Sequence, residues 1–241
     1  MVKMMEKDEF KEYYFSYLGY TENSDIVCSK NREKANNFIY YPVIVSFFEG
    51  KIIYSIAPKY FEELKEKIEK EKLKEREEIG KLLKDFFQQK KIPVSIQTMI
   101  RMTKKKEADV NVDRVIKIEE ENKKEFFHSF EQEREIEYKE KKWERMKSYS
   151  YRHGIIKDNQ FASMGFVSNI SYKGANIVIE TKEKYRNLGY GKSVVEKITR
   201  ELRKDYLIPI YWVKDKNIPS KKLAEALLFE EKAEEIVVKL I

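Results

Sequence analysis

Residues 174–204 read as one unit. An apolar run, GANIVIET, leads into a polar turn carrying Gly189 and Gly191, and then into a stretch with Val194, Val195, Ile198 and Leu202 on one helical face. A strand, a glycine-bearing turn and an amphipathic helix in direct succession leave few folds open. The strand needs a sheet and the helix must pack back on it. The turn would present consecutive backbone N–H groups at a helix N-terminus, where the dipole is positive. That combination suits an anion, and phosphate in particular.

The flanking sequence extends this pattern. Upstream, YSYRHGII and QFASMGFVSNI read as a strand pair joined at Lys157-Asp158-Asn159, with GANIVIET as the third strand. Downstream, IPIYWV (208–213) is short and apolar, as a buried strand is. NIPSKKLAEALL (217–228) reads as a helix with Asn217 near its cap, and EEIVVKLI (234–241) as a last strand.

The first half differs in texture. Residues 8–20 read as a helix ending at Gly19. Residues 38–58 read as a hairpin turning at Glu49-Gly50, with Pro58 opening the next helix. In 59–91, one stripe holds Phe61, Leu64 and Ile68 and a second holds Ile79, Leu82, Leu83 and Phe86, with a break expected near Gly80. Residues 92–100 suggest a short strand, 104–113 a polar linker or exposed loop, and 112–118 another strand. The Glu/Lys-rich segment 119–148 reads as a solvated helix. The fold class is α/β (α+β): a mixed central sheet flanked by helices in 111–241, preceded by an α/β region in 1–110 that reads as a degenerate copy of the same fold or as an unrelated cap.

Net charge is +7, and it is concentrated. Residues 182–222 hold 12 Lys/Arg against 5 Asp/Glu, so the positive field centres on the glycine turn. Nucleic acid is one candidate ligand and a phosphorylated cofactor another. Cys28 is the one cysteine, which excludes an internal disulfide; a buried or idle thiol fits it better than a nucleophile. No Cys/His cluster offers a metal site, so none is expected. The N-terminus has no apolar core of signal-peptide length and no stretch approaches a membrane span, so a cytoplasmic location is expected.

The turn departs from two phosphate motifs. Five positions before Gly191-Lys192-Ser193 a P-loop needs glycine, and Arg186 stands there. A dinucleotide fingerprint needs a third glycine where Val194 stands. What remains is Arg-x-x-Gly-x-Gly, from Arg186, Gly189 and Gly191. With the strand ending in Glu180, the later IYWV, and Asn217, Ser220, Leu223 and Phe229, residues 149–241 resemble the acyl-CoA-binding domain of GCN5-related N-acetyltransferases, the GNAT superfamily. The nearest resemblance is to the bacterial two-part branch that includes zwittermicin-resistance-type acetyltransferases.

That resemblance implies a function. An acyl-CoA-dependent N-acyltransferase would move acetyl from acetyl-CoA to a primary amine by direct attack. Glu180 takes the base position, with Glu183 as a weaker substitute. Backbone from Ile177, Val178 and Ile179 to Glu180 would pair with the pantetheine arm. Arg186 and the amides of Leu188, Gly189, Tyr190, Gly191 and Lys192 would hold the pyrophosphate, with Ser193 adding to them. Asn217 and Ser220 would lie along the cofactor arm. Relatives often carry a general-acid tyrosine where this chain has Ala224, which leaves Tyr211 or Ser220 as substitutes. Leu228 replaces the glycine of a Leu-Gly-Phe turn, which questions that turn. Tyr211 and Trp212 are most simply core residues. His153, beside Gly154, could line the acceptor cleft or be structural; His128 carries no assignment. The partners implied are acetyl-CoA and an amine of open identity, with no membrane, and the resemblance allows a homodimer. Two alternatives stay open: a non-catalytic acyl-CoA-binding module, motivated by Ala224, and, ranked last, a nucleic-acid binder.

Overall fold

The computed structural model describes residues 8–33, 41–130 and 134–241. Residues 38–40, expected to open the hairpin, and 131–133, inside the charged helical segment, lie outside the described residues. The chain is mixed α/β and forms two compact units, neither continuous in sequence. One comprises residues 1–101, 213–217 and 231–241, and the other 102–212 and 218–230.

The first unit begins with α1 (Glu9–Leu18), whose first turn is capped by the Asp8 carboxylate accepting from Phe10 N–H at 3.1 Å, and which ends at Gly19. Strand β1 (Ile26–Cys28) follows, then β2 (Val43–Phe48) and β3 (Lys51–Ile56), turning at Glu49-Gly50 as expected. Helix α2 (Pro58–Glu71) opens on its proline, and α3 (Arg76–Gln89) and β4 (Val94–Thr103) complete the run. The helix break falls at Lys72, in the left-handed region at φ 49°, and Gly80 lies inside α3. Length explains the fold-back. An unbroken helix over 58–89 would run about 48 Å, whereas six-residue strands such as β2 span only about 20 Å. Doubling back sets Leu64 and Ile68 beside Ile79, Leu83 and Phe87 over one core with Val43, Val45 and Ile56.

The second unit holds β5 (Ile116–Lys117), α4 (Lys123–His128), α5 (Ile136–Lys147), β6 (Ser150–Lys157), β7 (Gln160–Ser171), β8 (Gly174–Thr181), α6 (Tyr190–Lys204), β9 (Ile208–Lys214) and α7 (Ile218–Glu225). Strand β10 (Glu230–Leu240) then returns to the first unit, antiparallel to β2 with Ile236 opposite Val45. Within the first unit the strand order is β1-β3-β2-β10-β4 and within the second β9-β8-β7-β6-β5, with parallel and antiparallel pairs in both.

One expectation in the second unit holds in part and another needs correction. Residues 104–113 form a largely exposed loop, one of the two expected forms, and it is tied down rather than a free linker. Lys104 is buried and ion-paired to Glu196 of α6, Ala108 N–H donates to Glu196 Oε1 at 3.1 Å, and Arg200 donates to the carbonyls of Ala108 and Val110. Buried backbone needs partners, and α6 supplies them. The strand expected over 112–118 shrinks to Ile116–Lys117. The charged segment forms two described helices with a solvated face, yet Phe126, Trp143 and Met146 are buried against Phe161 and Met164.

Candidate functional site

Strand β8 is the backbone of the site. On one edge it pairs with β7 along its whole length, from Ser171↔Gly174 to Ser163↔Thr181. On the other edge a parallel ladder joins it to β9 from Gly174↔Ile208 to Ile177↔Tyr211, where the ladder ends. Val178, Ile179, Glu180 and Thr181 continue beyond it. The edge of that stretch facing away from β7 carries backbone donors and acceptors that a ligand's amides can pair with.

The two faces of β8 are distinct. A Cβ placed on Gly191 in the first turn of α6 would lie 3.0 Å from Thr181 Oγ1 and 3.9 Å from Ile179 Cγ1, so these side chains face α6. Alternation sends Val178 and Glu180 to the opposite face. Glu180 is exposed there, opposite Met164 in the ladder. Tyr211, paired with Ile177, faces α6 and α7, and its hydroxyl lies 2.8 Å from Ser220 Oγ. Burial pushes the Tyr211 hydroxyl above the usual phenol value, with the Ser220 hydrogen bond opposing.

The turn after β8 is anchored and then opens to solvent. Tyr185 is buried and its hydroxyl donates to Asp158 Oδ2 at 2.7 Å. Lys182 Nζ donates to Gln160 Oε1; burial pushes this ammonium below its usual value, Lys184 adds to the effect and Glu180 opposes it. Arg186, Asn187, Leu188, Gly189 and Lys192 are exposed. Arg186 Nε donates weakly to Thr181 O at 3.4 Å. Asn187 and Gly189 both adopt left-handed backbone, at φ 63° and 82°. No side chain caps α6. The N–H groups of its first turn have no acceptor within the helix, so they are available to an external anion. Nothing lies within 4 Å of where a Gly189 Cβ would be, leaving room for one. Gly191 is needed for a different reason: its Cβ would also crowd Leu223 Cδ1 at 3.0 Å. These features fit a pyrophosphate. Arg186, Leu188, Gly189, Tyr190, Gly191, Lys192 and Ser193 come together around the helix start.

The remaining sequence candidates fall as follows. Ile177 is buried in the ladder, and Val178 and Ile179 are half-buried. Asn217 is exposed and clusters with the first unit; its N–H donates to Lys214 O at 2.9 Å. Ala224 is fully buried, and Trp212 is half-buried. Leu228 makes a turn without a glycine: it sits at φ 65°, and Phe229 N–H reaches back to Ala224 O at 3.0 Å. His153 is buried, with Nδ1 donating to Tyr151 O at 3.1 Å and Nε2 3.1 Å from Glu201 Oε1, so it ties β6 to α6. Glu183 and His128 are exposed, and Cys28 is exposed rather than buried. No spacing in the sequence marks the Tyr185–Asp158 and Lys182–Gln160 anchors, because neither partner belongs to a recognisable motif.

Among the described residues no helix is long and apolar enough to cross a membrane, and no three His, Cys, Asp or Glu side chains cluster as metal ligands. No curated protein matches the chain. Among solved structures, it resembles a GNAT-family acetyltransferase from Colwellia psychrerythraea at 11% identity and TM-score 0.49, over 62% of this chain and 57% of that one. It resembles a GNAT-family acetyltransferase from Novosphingobium aromaticivorans at 15% identity and TM-score 0.47, over 61% of this chain and 66% of that one. A GCN5-related N-acetyltransferase from Sphaerobacter thermophilus aligns at 8% identity and TM-score 0.47, over 66% of this chain and 56% of that one. In all three the match spans less than two thirds of the other chain's length. The family model for GNAT acetyltransferases matches residues 14–237, nearly the whole sequence. The chain belongs to the GNAT acetyltransferase family.

Proposed function

We propose that the chain transfers the acetyl group of acetyl-CoA to the primary amine of a small-molecule acceptor by direct attack. The observation that carries this reading is the end of the β8–β9 ladder at Ile177↔Tyr211, beside the uncapped, glycine-bearing start of α6. The backbone of Val178 to Glu180 would pair with the amides of the pantetheine arm. The N–H groups of α6, with Arg186 and Lys192, would take the phosphates, and Ser220 would serve the arm. Bound acetyl-CoA supplies an activated acyl carbon and a thiol leaving group.

Glu180 and Tyr211 face opposite sides of the sheet. Glu180 would accept the proton of the attacking amine, directly or through water. Tyr211, kept protonated by burial and joined to Ser220, would protonate the departing sulfur in place of the tyrosine that Ala224 replaces. Within the family we place the chain in the branch of the zwittermicin-resistance-type enzymes. In this reading residues 111–241 form the transferase domain, residues 1–110 form an accessory α/β region, and the protein works in the cytoplasm.

The test is a thermal shift with acetyl-CoA, CoA and ATP, followed by thiol release with a panel of amines. Ligand at 100 times its Kd should add about 2.7 kcal/mol of stability. A shift with both CoA species and not with ATP, then Glu180-dependent thiol release, is expected. Absence of any CoA shift would end this reading. A second reading, a non-catalytic acyl-CoA-binding module, is favoured by the buried methyl of Ala224 where an acid is common. It expects the CoA shift with no amine acetylated.

A further inference from the structure

The face of β8 that bears Glu180 is apolar and aromatic. Ladder partners share a face, so Met164↔Glu180 and Phe166↔Val178 put four side chains side by side. The face turned to α6 is set apart from it, since Gly165, opposite Ile179, comes up against Val194 and Ile198. Phe166 is stacked on Tyr149, with ring centroids 4.1 Å apart and planes 7° from parallel. Val178, Phe166 and Tyr149 are each half-buried, so each keeps part of its surface toward solvent, whereas the Glu180 carboxylate is exposed. Successive residues on one face of a strand are about 6.7 Å apart. The Val178–Phe166 surface and Glu180 are therefore one strand repeat apart, a span that an aromatic ring and an amine joined by a short alkyl chain can bridge. Beyond Glu180, Lys182 is a cation held in place by Gln160. A second ammonium on the acceptor would meet this fixed positive charge.

We infer that the acceptor carries one amine on a flat apolar body, as arylalkylamines do, with the body lying on Val178, Phe166 and Tyr149 and the amine at Glu180. This rests on the transferase reading for the role of Glu180. The chemistry that recognises it is burial of an aromatic surface plus one carboxylate for one ammonium. It selects against polyamines and aminoglycosides, whose several ammonium groups would be paired by a single acid and repelled by Lys182.

The experiment uses the full chain saturated with CoA and titrates phenethylamine and spermidine by calorimetry, alongside acetylation of each from acetyl-CoA. Phe166→Leu keeps apolar volume and removes the stack on Tyr149; circular dichroism and thermal melting check its fold, and Val178→Thr gives a second, milder probe. Phenethylamine should bind more tightly than spermidine, and Phe166→Leu should weaken it by roughly three- to tenfold, the worth of one aromatic pair. Spermidine bound or acetylated in preference, or phenethylamine binding unchanged in both folded variants, overturns the assignment while leaving the transferase reading intact. Phenethylamine binding that depends on Phe166, with neither amine acetylated, supports the surface and sinks the transferase reading instead.

Discussion

The Tyr211 hydroxyl lies 2.8 Å from Ser220 Oγ, joining the last β9 residue paired with β8 to the first turn of α7. The pair sits on the α6 side of the sheet, across from Glu180. Its expected use is to give a proton to the leaving thiolate. Tyr211→Phe should therefore lower kcat by about a hundredfold or more, the scale of general-acid catalysis, and leave the KM for acetyl-CoA little changed. Ser220→Ala should have a smaller effect of the same kind. A Tyr211→Phe enzyme with full kcat would remove Tyr211 from the reaction and leave it as a core residue.

The two glycines of the turn should fail differently. Gly189 is at φ 82° with open space around it, so Gly189→Ala meets a conformational penalty of about 1–2 kcal/mol and no clash. Gly191→Ala has ordinary helical backbone but brings a methyl within 3.0 Å of Leu223 and Thr181. Its cost depends on how far these two neighbours move. Gly189→Glu places a carboxylate where the phosphates are proposed to bind and is expected to abolish CoA binding in a protein that still melts cooperatively. Calorimetric titration with CoA checks it, and undiminished binding by folded Gly189→Glu would remove the phosphates from this turn.

Much of this arrangement was legible because it is local. The limits of β8 at Gly174 and Thr181, and the start of α6 at Tyr190, follow from an apolar run, a glycine turn and a helical stripe within 31 consecutive residues. What failed to show was decided at a distance. The break at Lys72 has neither glycine nor proline to mark it; it arises because α2 and α3 must share a short sheet. The lysines of KKKEADVNVD read as solvated, since the partner of Lys104 is 92 residues away. The placing of β10 beside β2 also escaped any local pattern, because strand pairing leaves no mark on the strand's own alternation. At the site itself, Glu180 could be placed by its position at a strand end, but the Tyr211–Ser220 contact required the β9 register.

The Lys104–Glu196 pair gives a prediction about stability. Both side chains are buried, Lys104 also donates to Leu227 O at 3.0 Å, and burial pulls its ammonium below the usual lysine value. Glu196 also accepts from Arg200 Nε at 3.3 Å, so Lys104→Met leaves it one cationic partner and should cost about 1–3 kcal/mol, less than a fully uncompensated buried charge. Lys104→Met with Glu196→Gln together should cost less than the sum of the two single changes. Urea unfolding of the wild type, the two single variants and the double variant checks this, and additive losses would mean that the two groups do not depend on each other.

In the first unit, Arg101 Nε donates to Glu235 Oε1 at 2.6 Å and its Nη1 donates to the Tyr13 hydroxyl at 2.9 Å, while the Tyr14 hydroxyl donates to Glu235 Oε1 at 2.7 Å. Burial pushes the Tyr13 hydroxyl from 10.0 up to about 12, with Arg101 opposing, and pushes Tyr14 well above the usual value. The sign of the pH effect follows. Between 10 and 12 the unfolded chain sheds the Tyr13 proton and the native chain keeps it. The native state then binds more protons, so stability falls with rising pH in that window. The contribution is complete below the unfolded value and is lost as pH climbs toward the native one. Tyr14 extends the same trend to higher pH. Urea unfolding from about pH 8 to about pH 12 should show a steepening loss of stability. Tyr13→Phe should start less stable, having lost the bond from Arg101, and should lose less on going from neutral to alkaline pH. An equal alkaline loss in Tyr13→Phe would place the effect on other tyrosines.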